Sequence, residues 1–150
     1  MTRSRLGRLA TAWQMTRLGP VYLAYGVVKR LVPIGTLARW SWRPARRASR
    51  NPAAERHLVS SVIRLSAASG FDRDCLQRSL VLYRELSRAG ADPTLVLGLR
   101  RTARGLEGHA WVEADGLPVA EPTVHEQGFE TTCAFGREGI LVVPGASHSA

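Results

Sequence analysis

Cysteine is scarce in this chain, and the scarcity excludes two classes of small protein. The 150 residues include only two cysteines, Cys75 and Cys133. They can form one disulfide at most, which excludes a disulfide-rich scaffold and a metal site with four cysteine ligands. Hydrophobic residues make up 45% of the chain and charged residues 22%, a balance that argues against a wholly disordered protein. The length suggests one domain with a real core.

Long apolar runs are missing as well. A transmembrane helix needs about 20 consecutive apolar residues, whereas the apolar run at residues 21–28 ends at Lys29-Arg30. That run also leads to no small-residue cleavage site of the kind that follows a signal peptide. We therefore expect a cytoplasmic protein, with peripheral membrane contact through residues 1–50 as one open alternative.

Acidic residues are absent from the first third of the chain. Residues 1–50 carry 11 basic and no acidic side chains, whereas residues 51–150 carry 10 basic and 12 acidic ones. We predict a basic N-terminal helical segment at 1–50 and a nearly neutral core domain at 51–150. Helices packed on the core with solvated arginines, docking of a partner protein or acidic peptide, and contact with an anionic membrane all fit the charge. No standard nucleic-acid-binding motif is present, so no nucleic acid partner is expected.

Helical signals dominate the first 90 residues. Residues 1–18 have the apolar spacing of an amphipathic helix, which Gly19-Pro20 is expected to break, and residues 41–50 resemble a basic linker. Asn51-Pro52 predicts a helix start, with Asn as the cap and Pro in the first position.

A further helix is expected to begin near Cys75, because Asp72 or Ser69 can cap it, and to end at Gly90. This places Cys75 in the first turn.

The remainder of the chain has the period of β-strands. Strands are predicted at residues 94–99, 109–114, 119–121 and 139–143. Asp115-Gly116 is a strong hairpin turn signal, and the residues around Cys133 resemble a loop. Helices followed by an antiparallel sheet indicate an α+β fold.

Cys75 is the first candidate for chemistry. A thiol in the first turn of a helix lies near unpaired backbone N–H groups and the positive end of the helix dipole, and both favour the nucleophilic thiolate. Arg73 and Arg78 can add to this effect, whereas Asp72 and Asp74 oppose it if they point the same way. The alternative is a small, buried and inert cysteine.

His109 is the second candidate, because it opens an alternating strand directly after Gly108. A cysteine on a helix followed by a histidine on a strand is the order that a papain-like nucleophilic pair requires. A half-buried strand histidine without a catalytic role is the alternative.

Glu121 is the third candidate, because a carboxylate can orient the histidine and stabilise the imidazolium. A two-residue turn at Asp115-Gly116 would pair His109 with Pro122 and direct Glu121 to the opposite face. The assignment therefore predicts a three-residue loop or a bulge in this hairpin. Asp115, which turn chemistry explains better, and Glu113, further along the strand of His109, are rivals.

The other histidines indicate no metal site. His57, His125 and His148 have a spacing that matches no metal signature. Neither a metal nor another cofactor is predicted.

Three segments together resemble one family. They are residues 75–80 (CLQRSL), residues 88–91 (RAGA) leading into residues 95–99 (LVLGL), and residues 108–113 (GHAWVE). The combination resembles the transglutaminase-like cysteine protease of lasso-peptide biosynthesis, the leader peptidase, over roughly residues 55–122. The resemblance implies a papain/transglutaminase-like α+β core with Cys75 as nucleophile and His109 as base. The third member in this family is usually Asp, and Glu121 stands in its place here.

The resemblance also implies a function and partners. The enzyme would remove the leader of a ribosomally made precursor peptide and free the core N-terminus for macrolactam formation. It would represent the split form, which works with a separate leader-recognition protein and beside an ATP-dependent macrolactam synthetase. The backbone N–H of Cys75 and the Gln77 side chain are candidate oxyanion donors. A transglutaminase-like acyl transferase and a non-catalytic peptide-binding module remain alternatives.

Overall fold

The computed structural model describes residues 3–46, 49–69 and 74–142, with side chains from residue 16 onward. In this part of the chain four α-helices precede a five-stranded sheet. The helices are α1 (Arg3–Val28), α2 (Ile34–Ser41), α3 (Pro52–Ala68) and α4 (Cys75–Ala89). None of these helices has both the length and the apolar character of a membrane span.

The sheet is antiparallel throughout, and its strand order is β3-β2-β1-β4-β5. The strands are β1 (Thr94–Thr102), β2 (Gly105–Ala114), β3 (Leu117–Pro118), β4 (Glu130–Phe135) and β5 (Leu141–Val142). Short 3₁₀ helices at Val124–Gln127 and Arg137–Gly139 flank β4. Helices followed by an antiparallel sheet confirm the predicted α+β fold.

Three strand predictions need correction. The strand expected at residues 119–121 is Leu117–Pro118 instead, and residues 119–121 lie beyond it. The residues around Cys133 form β4, not a loop, because Cys133 pairs with Leu97 of β1 and Ala134 and Phe135 are buried. Within the described residues the last strand is Leu141–Val142, and it begins later than predicted because Gly139 belongs to a 3₁₀ helix. Val143 lies outside the described residues.

The predicted break at Gly19-Pro20 is also wrong, because α1 continues through it. Proline lacks the N–H of the helical ladder and its ring crowds the preceding turn, so local sequence favours a break. Packing on both sides outweighs that cost. Leu18 and Tyr22 are buried, and the Tyr22 hydroxyl donates to Ser66 Oγ at 3.1 Å.

The ends of α3 and α4 follow local rules. The Asn51 side chain accepts from the Ala54 N–H at 3.1 Å, as predicted. Asp74, not Asp72 or Ser69, caps α4 and accepts from the Gln77 N–H at 3.3 Å, because it immediately precedes the first helical residue. Gly90 ends α4 with φ 93°, as predicted.

Each face of the sheet covers a different cluster. Leu95 and Val112, paired across β1 and β2, face the helices. Buried residues from the basic N-terminal segment, including Leu18 and Leu37, belong to this same core. A smaller cluster covers the opposite face and consists of Val96, Trp111, Val124, Phe129 and Ala134. His109 shares this second face with Trp111.

Candidate active site

Cys75 is the first residue of α4 and is half-buried. The first N–H groups of a helix have no carbonyl partner within it, and they carry the positive end of its dipole. The predicted first-turn position is therefore confirmed, and the backbone there suits a thiolate. Arg73 and Asp72, which were expected to influence the thiol, lie outside the described residues.

Lys29 balances the acidic cap beside Cys75. It follows the end of α1, and its ammonium forms an ion pair with the carboxylate of Asp74. Burial lowers the pKa of Lys29, Arg30 lowers it further, and Cys75 acts in the opposite direction. The negative charge of Asp74 was expected to oppose a thiolate at Cys75. The ammonium of Lys29 compensates that charge.

His109 and Glu121 meet in a short hydrogen bond. Nε2 of His109 lies 2.6 Å from Oε2 of Glu121, and the two side chains are 17% and 19% exposed. The Arg78 guanidinium donates to the other oxygen, Oε1. Arg78 was expected to favour the thiolate, whereas its structural partner is Glu121. Because Glu121 occupies Nε2, the ring nitrogen left to accept a proton from a thiol is Nδ1.

Two contacts hold α4 against this pair. Ser79 Oγ donates to the Ala110 carbonyl at 2.9 Å, directly beside His109 in β2. The second contact is the ion pair from Arg78. Both residues lie within about one turn of Cys75 along the helix. The structure thus brings the start of α4, β2 and the Glu121 segment to one place.

Aromatic rings enclose the imidazole of His109. The Phe129 ring stacks on it with centroids 4.9 Å apart, and the Trp111 ring lies 6.2 Å away at an interplanar angle of 21°. The Arg100 guanidinium lies 4.4 Å from the centroid of the Phe129 ring. Phe129 had no local sequence signal, since it follows the 3₁₀ helix twenty residues beyond His109.

Gly98 makes room for this arrangement. It pairs with His109 across β1 and β2, and a Cβ at this position would lie 2.8 Å from the Trp111 ring. A side chain at position 98 would collide with the Trp111 ring, so glycine is required there. Glycine allows the Trp111 ring to lie nearly parallel to the His109 ring.

The hairpin that leads to Glu121 is regular, which corrects the predicted loop or bulge. Asp115 and Gly116 form a two-residue turn with φ 55° and 75°, and Ala114 pairs with Leu117. The strand β3 ends at Pro118, and only the Val119 N–H to Val112 carbonyl bond continues the pairing. Side chains alternate between the two faces of a sheet only within a strand. Glu121 lies beyond the end of β3, so this rule does not fix its direction.

The rival carboxylates have other partners. Asp115 accepts from Arg50 at 2.8 Å, and this hydrogen bond lowers the pKa of the exposed Asp115 carboxyl. Glu113 accepts from Trp111 Nε1 at 2.9 Å and lies 3.3 Å from His125 Nε2.

Gln77 does not face the site. Its side-chain amide is buried and donates to the Tyr22 carbonyl of α1 at 2.6 Å. The suggestion that Gln77 supplies a second oxyanion donor is therefore wrong.

The second cysteine has a different environment. Cys133 lies in β4 against the helix-side core, and burial raises the pKa of its thiol. Both cysteines are free thiols. Among the described residues, no cluster of three histidine, cysteine or acidic side chains is arranged to hold a metal ion. His57 is exposed on α3, and His148 lies outside the described part of the chain.

Comparison with known families gives a match that covers most of the chain. A family model of the transglutaminase-like superfamily matches residues 15–133. Comparisons with curated proteins and with solved structures found no match. The match includes α2, α3, α4 with Cys75, the strand β2 with His109, and the segment after β3 that contains Glu121. The chain therefore belongs to the transglutaminase-like superfamily.

Proposed function

We propose that this chain is a cysteine peptidase with a Cys75-His109-Glu121 triad. Its substrate is a lasso-peptide precursor, from which it removes the leader and frees the core N-terminus for macrolactam formation. The observation that carries the peptidase proposal is the 2.6 Å bond between His109 and Glu121 beside the start of α4. The leader-peptidase role is supported by the sequence resemblance over residues 55–122.

The first half of the reaction forms an acyl-enzyme. His109 Nδ1 removes the Cys75 proton, and the thiolate attacks the carbonyl carbon of the bond between leader and core. Glu121 holds the ring and stabilises the imidazolium. When the C–N bond breaks, the imidazolium gives its proton to the leaving amine, which is the new core N-terminus.

The second half hydrolyses the thioester. His109 takes a proton from water, whose oxygen attacks the acyl carbon, and the thiol leaves with the proton returned to it. The oxyanion in both halves accepts from the Cys75 backbone N–H, which has no partner one turn earlier in the helix.

The partners belong to the same proposal. Residues 51–150 carry the catalytic core, and the basic segment at 1–50 packs on it and docks a partner. Besides the precursor peptide, the proposed partners are a separate leader-recognition protein and the ATP-dependent macrolactam synthetase. The proposed location is cytoplasmic, with peripheral membrane contact as the alternative role of the basic segment.

Mass spectrometry of the precursor peptide tests the function. The peptide is incubated with the chain, with and without the recognition protein, and the products are weighed. We expect cleavage at one bond by wild type and none by Cys75→Ala. Cys133→Ala is the matched control, since it removes the other free thiol, and it is expected to cleave normally. Cleavage that survives Cys75→Ala would contradict the nucleophile assignment.

Two further arms distinguish the alternatives. If an added primary amine attacks the acyl-enzyme in place of water, the product is an amide. Its mass exceeds that of the acid formed by hydrolysis, and this product identifies acyl transfer. Iodoacetamide kinetics identify a binding module, because an inert Cys75 reacts slowly and without a low-pH thiolate plateau. Either result would replace the peptidase proposal.

A further inference from the structure

We infer that Arg78 is a positioning residue of this site, which fixes the Glu121 carboxylate from the same helix that holds Cys75. The inference rests on the proposed function for its activity readout. Its second readout, alkylation of Cys75, does not depend on any peptide substrate.

Glu121 needs a second point of attachment. It lies in irregular backbone between β3 and the 3₁₀ helix at Val124–Gln127, so no strand pairing fixes its position. Glutamate also has one more rotatable bond than aspartate, and more rotamer freedom must be lost to hold its carboxylate. His109 binds Oε2, and Arg78 binds Oε1. Together the two contacts define both the position and the plane of the carboxylate.

Arg78 is itself well placed for this task. It is 13% exposed, and it lies three residues after Cys75 and next to Ser79, which is anchored on β2. A guanidinium offers several donors in a rigid plane, which suits carboxylate recognition better than an ammonium does. The same helix therefore carries both Cys75 and the guanidinium that holds the Glu121 carboxylate.

Arg78 also shares the charge of Glu121. Without the guanidinium, the carboxylate charge acts on His109 alone and favours the imidazolium over a wider pH range. Among the described residues, the other charged groups around the site are Lys29 after α1, Asp74 before α4, Arg100 on β1, Glu113 on β2 and His125 in the 3₁₀ helix. They remain in place when Arg78 is replaced.

The test compares Arg78→Met with Arg78→Lys. We expect Arg78→Met to lower kcat by about 10- to 100-fold with little change in KM, as a small misplacement of a catalytic group does. The acidic limb of its pH–rate profile, at which neutral His109 becomes available as the base, moves to higher pH, and so does the onset of Cys75 alkylation. Arg78→Lys keeps the positive charge but lacks the planar guanidinium. Its pH–rate profile should therefore match that of wild type, while its kcat stays reduced.

Two controls separate positioning from a general structural effect. Arg50→Met removes another arginine that bridges two carboxylates, Glu55 and Asp115, and is expected to leave rate and profile unchanged. The double variant Arg78→Met with Glu121→Gln is expected to be as slow as Glu121→Gln alone, because Arg78 acts through Glu121.

The inference is overturned if the two substitutions lower kcat independently, so that their effects multiply in the double variant. It is also overturned if the pH profile of Arg78→Met does not shift. If Arg78→Met fails to fold, Arg78→Lys and its combination with Glu121→Gln give the same comparison. If wild type leaves the precursor intact while the alkylation profile shifts in Arg78→Met, the proposed function fails and the role of Arg78 stands.

Discussion

The carboxylates of Glu85, a residue of α4, and Glu121, which binds Arg78 of α4, have partners that differ in kind. Glu85 is 2% exposed and is surrounded by the arginines Arg17, Arg84 and Arg88. Glu121 is partly exposed and shares its two oxygens between Arg78 and His109. Arginine stays protonated, so the Glu85 cluster holds its charges fixed. An imidazole can both accept and donate a proton, so of these two clusters only the one at Glu121 contains a group suited to general acid–base catalysis.

The two clusters also join different parts of the molecule. Glu85 connects α4 to Arg17 of α1, whereas Glu121 connects α4 to the sheet through His109. A buried ion pair adds little net stability, yet removal of one partner is costly because the other charge is left unpaired. We expect the first cluster to matter for stability and the second for activity.

Replacement of Glu121 by Gln tests the catalytic half of this comparison. The amide keeps the shape but cannot stabilise an imidazolium, so kcat for precursor cleavage should fall by about 10²- to 10⁴-fold. The urea midpoint should fall less than after replacement of Glu85, because Glu121 is more exposed and pairs with one arginine instead of three. Unchanged cleavage by Glu121→Gln would remove Glu121 from the triad.

Replacement of Glu85 by Gln tests the structural half. Three arginines lose their carboxylate, and the free energy of unfolding should fall by roughly 3 kcal/mol. Urea denaturation measures this change. Cys75 alkylation in the folded variant should proceed at the wild-type rate, and a slower rate would show that the two clusters are coupled.

Tyr83 is another buried residue of α4, and its pKa lies far from neutrality. Burial raises its pKa to about 12, and its hydroxyl accepts from the Gly139 N–H at 3.0 Å. The folded state therefore retains a proton that the unfolded chain loses near pH 10. Stability should fall between pH 10 and 12, by roughly 1–2 kcal/mol.

Thermal unfolding between pH 9 and 12 measures this loss. Tyr83→Phe is the control, and it should be less stable at pH 8 but show a shallower decline. An equally steep decline in Tyr83→Phe would assign the titration to another group.

Lys29 provides the smallest test. Lys29→Met leaves Asp74 unbalanced beside Cys75, so iodoacetamide alkylation at pH 7 should slow about three- to tenfold. Lys29→Arg should keep the wild-type rate. Adding Asp74→Asn to Lys29→Met should restore it, since asparagine still caps the helix. A double variant as slow as Lys29→Met would mean that Lys29 acts by another route.

Local rules were sufficient for much of the fold. Asn51 and Gly90 are where helix capping predicts them, and Cys75 lies in the first turn of α4. Alternation along β2 placed His109, Trp111 and Glu113 on one face, which the ring contact and the Trp111 hydrogen bond confirm. These features depend on residues within a few positions of each other.

The same rules failed where distant contacts decide. Local chemistry predicts a break at Pro20, but contacts with α3 and the core keep α1 continuous. Strand alternation directed Glu121 away from His109, but β3 ends at Pro118 and the rule does not reach Glu121.

The sequence by itself determined that helices precede the sheet, that α3 begins after Asn51 and α4 ends at Gly90, and where the thiol lies, because these follow from backbone propensities and short-range spacing. Only the tertiary structure decided that Arg78 binds Glu121, that Lys29 faces Asp74 and that Phe129 stacks on His109. These pairs are 43, 45 and 20 residues apart. No local pattern encodes such contacts, since they form only when the helices and the sheet pack together.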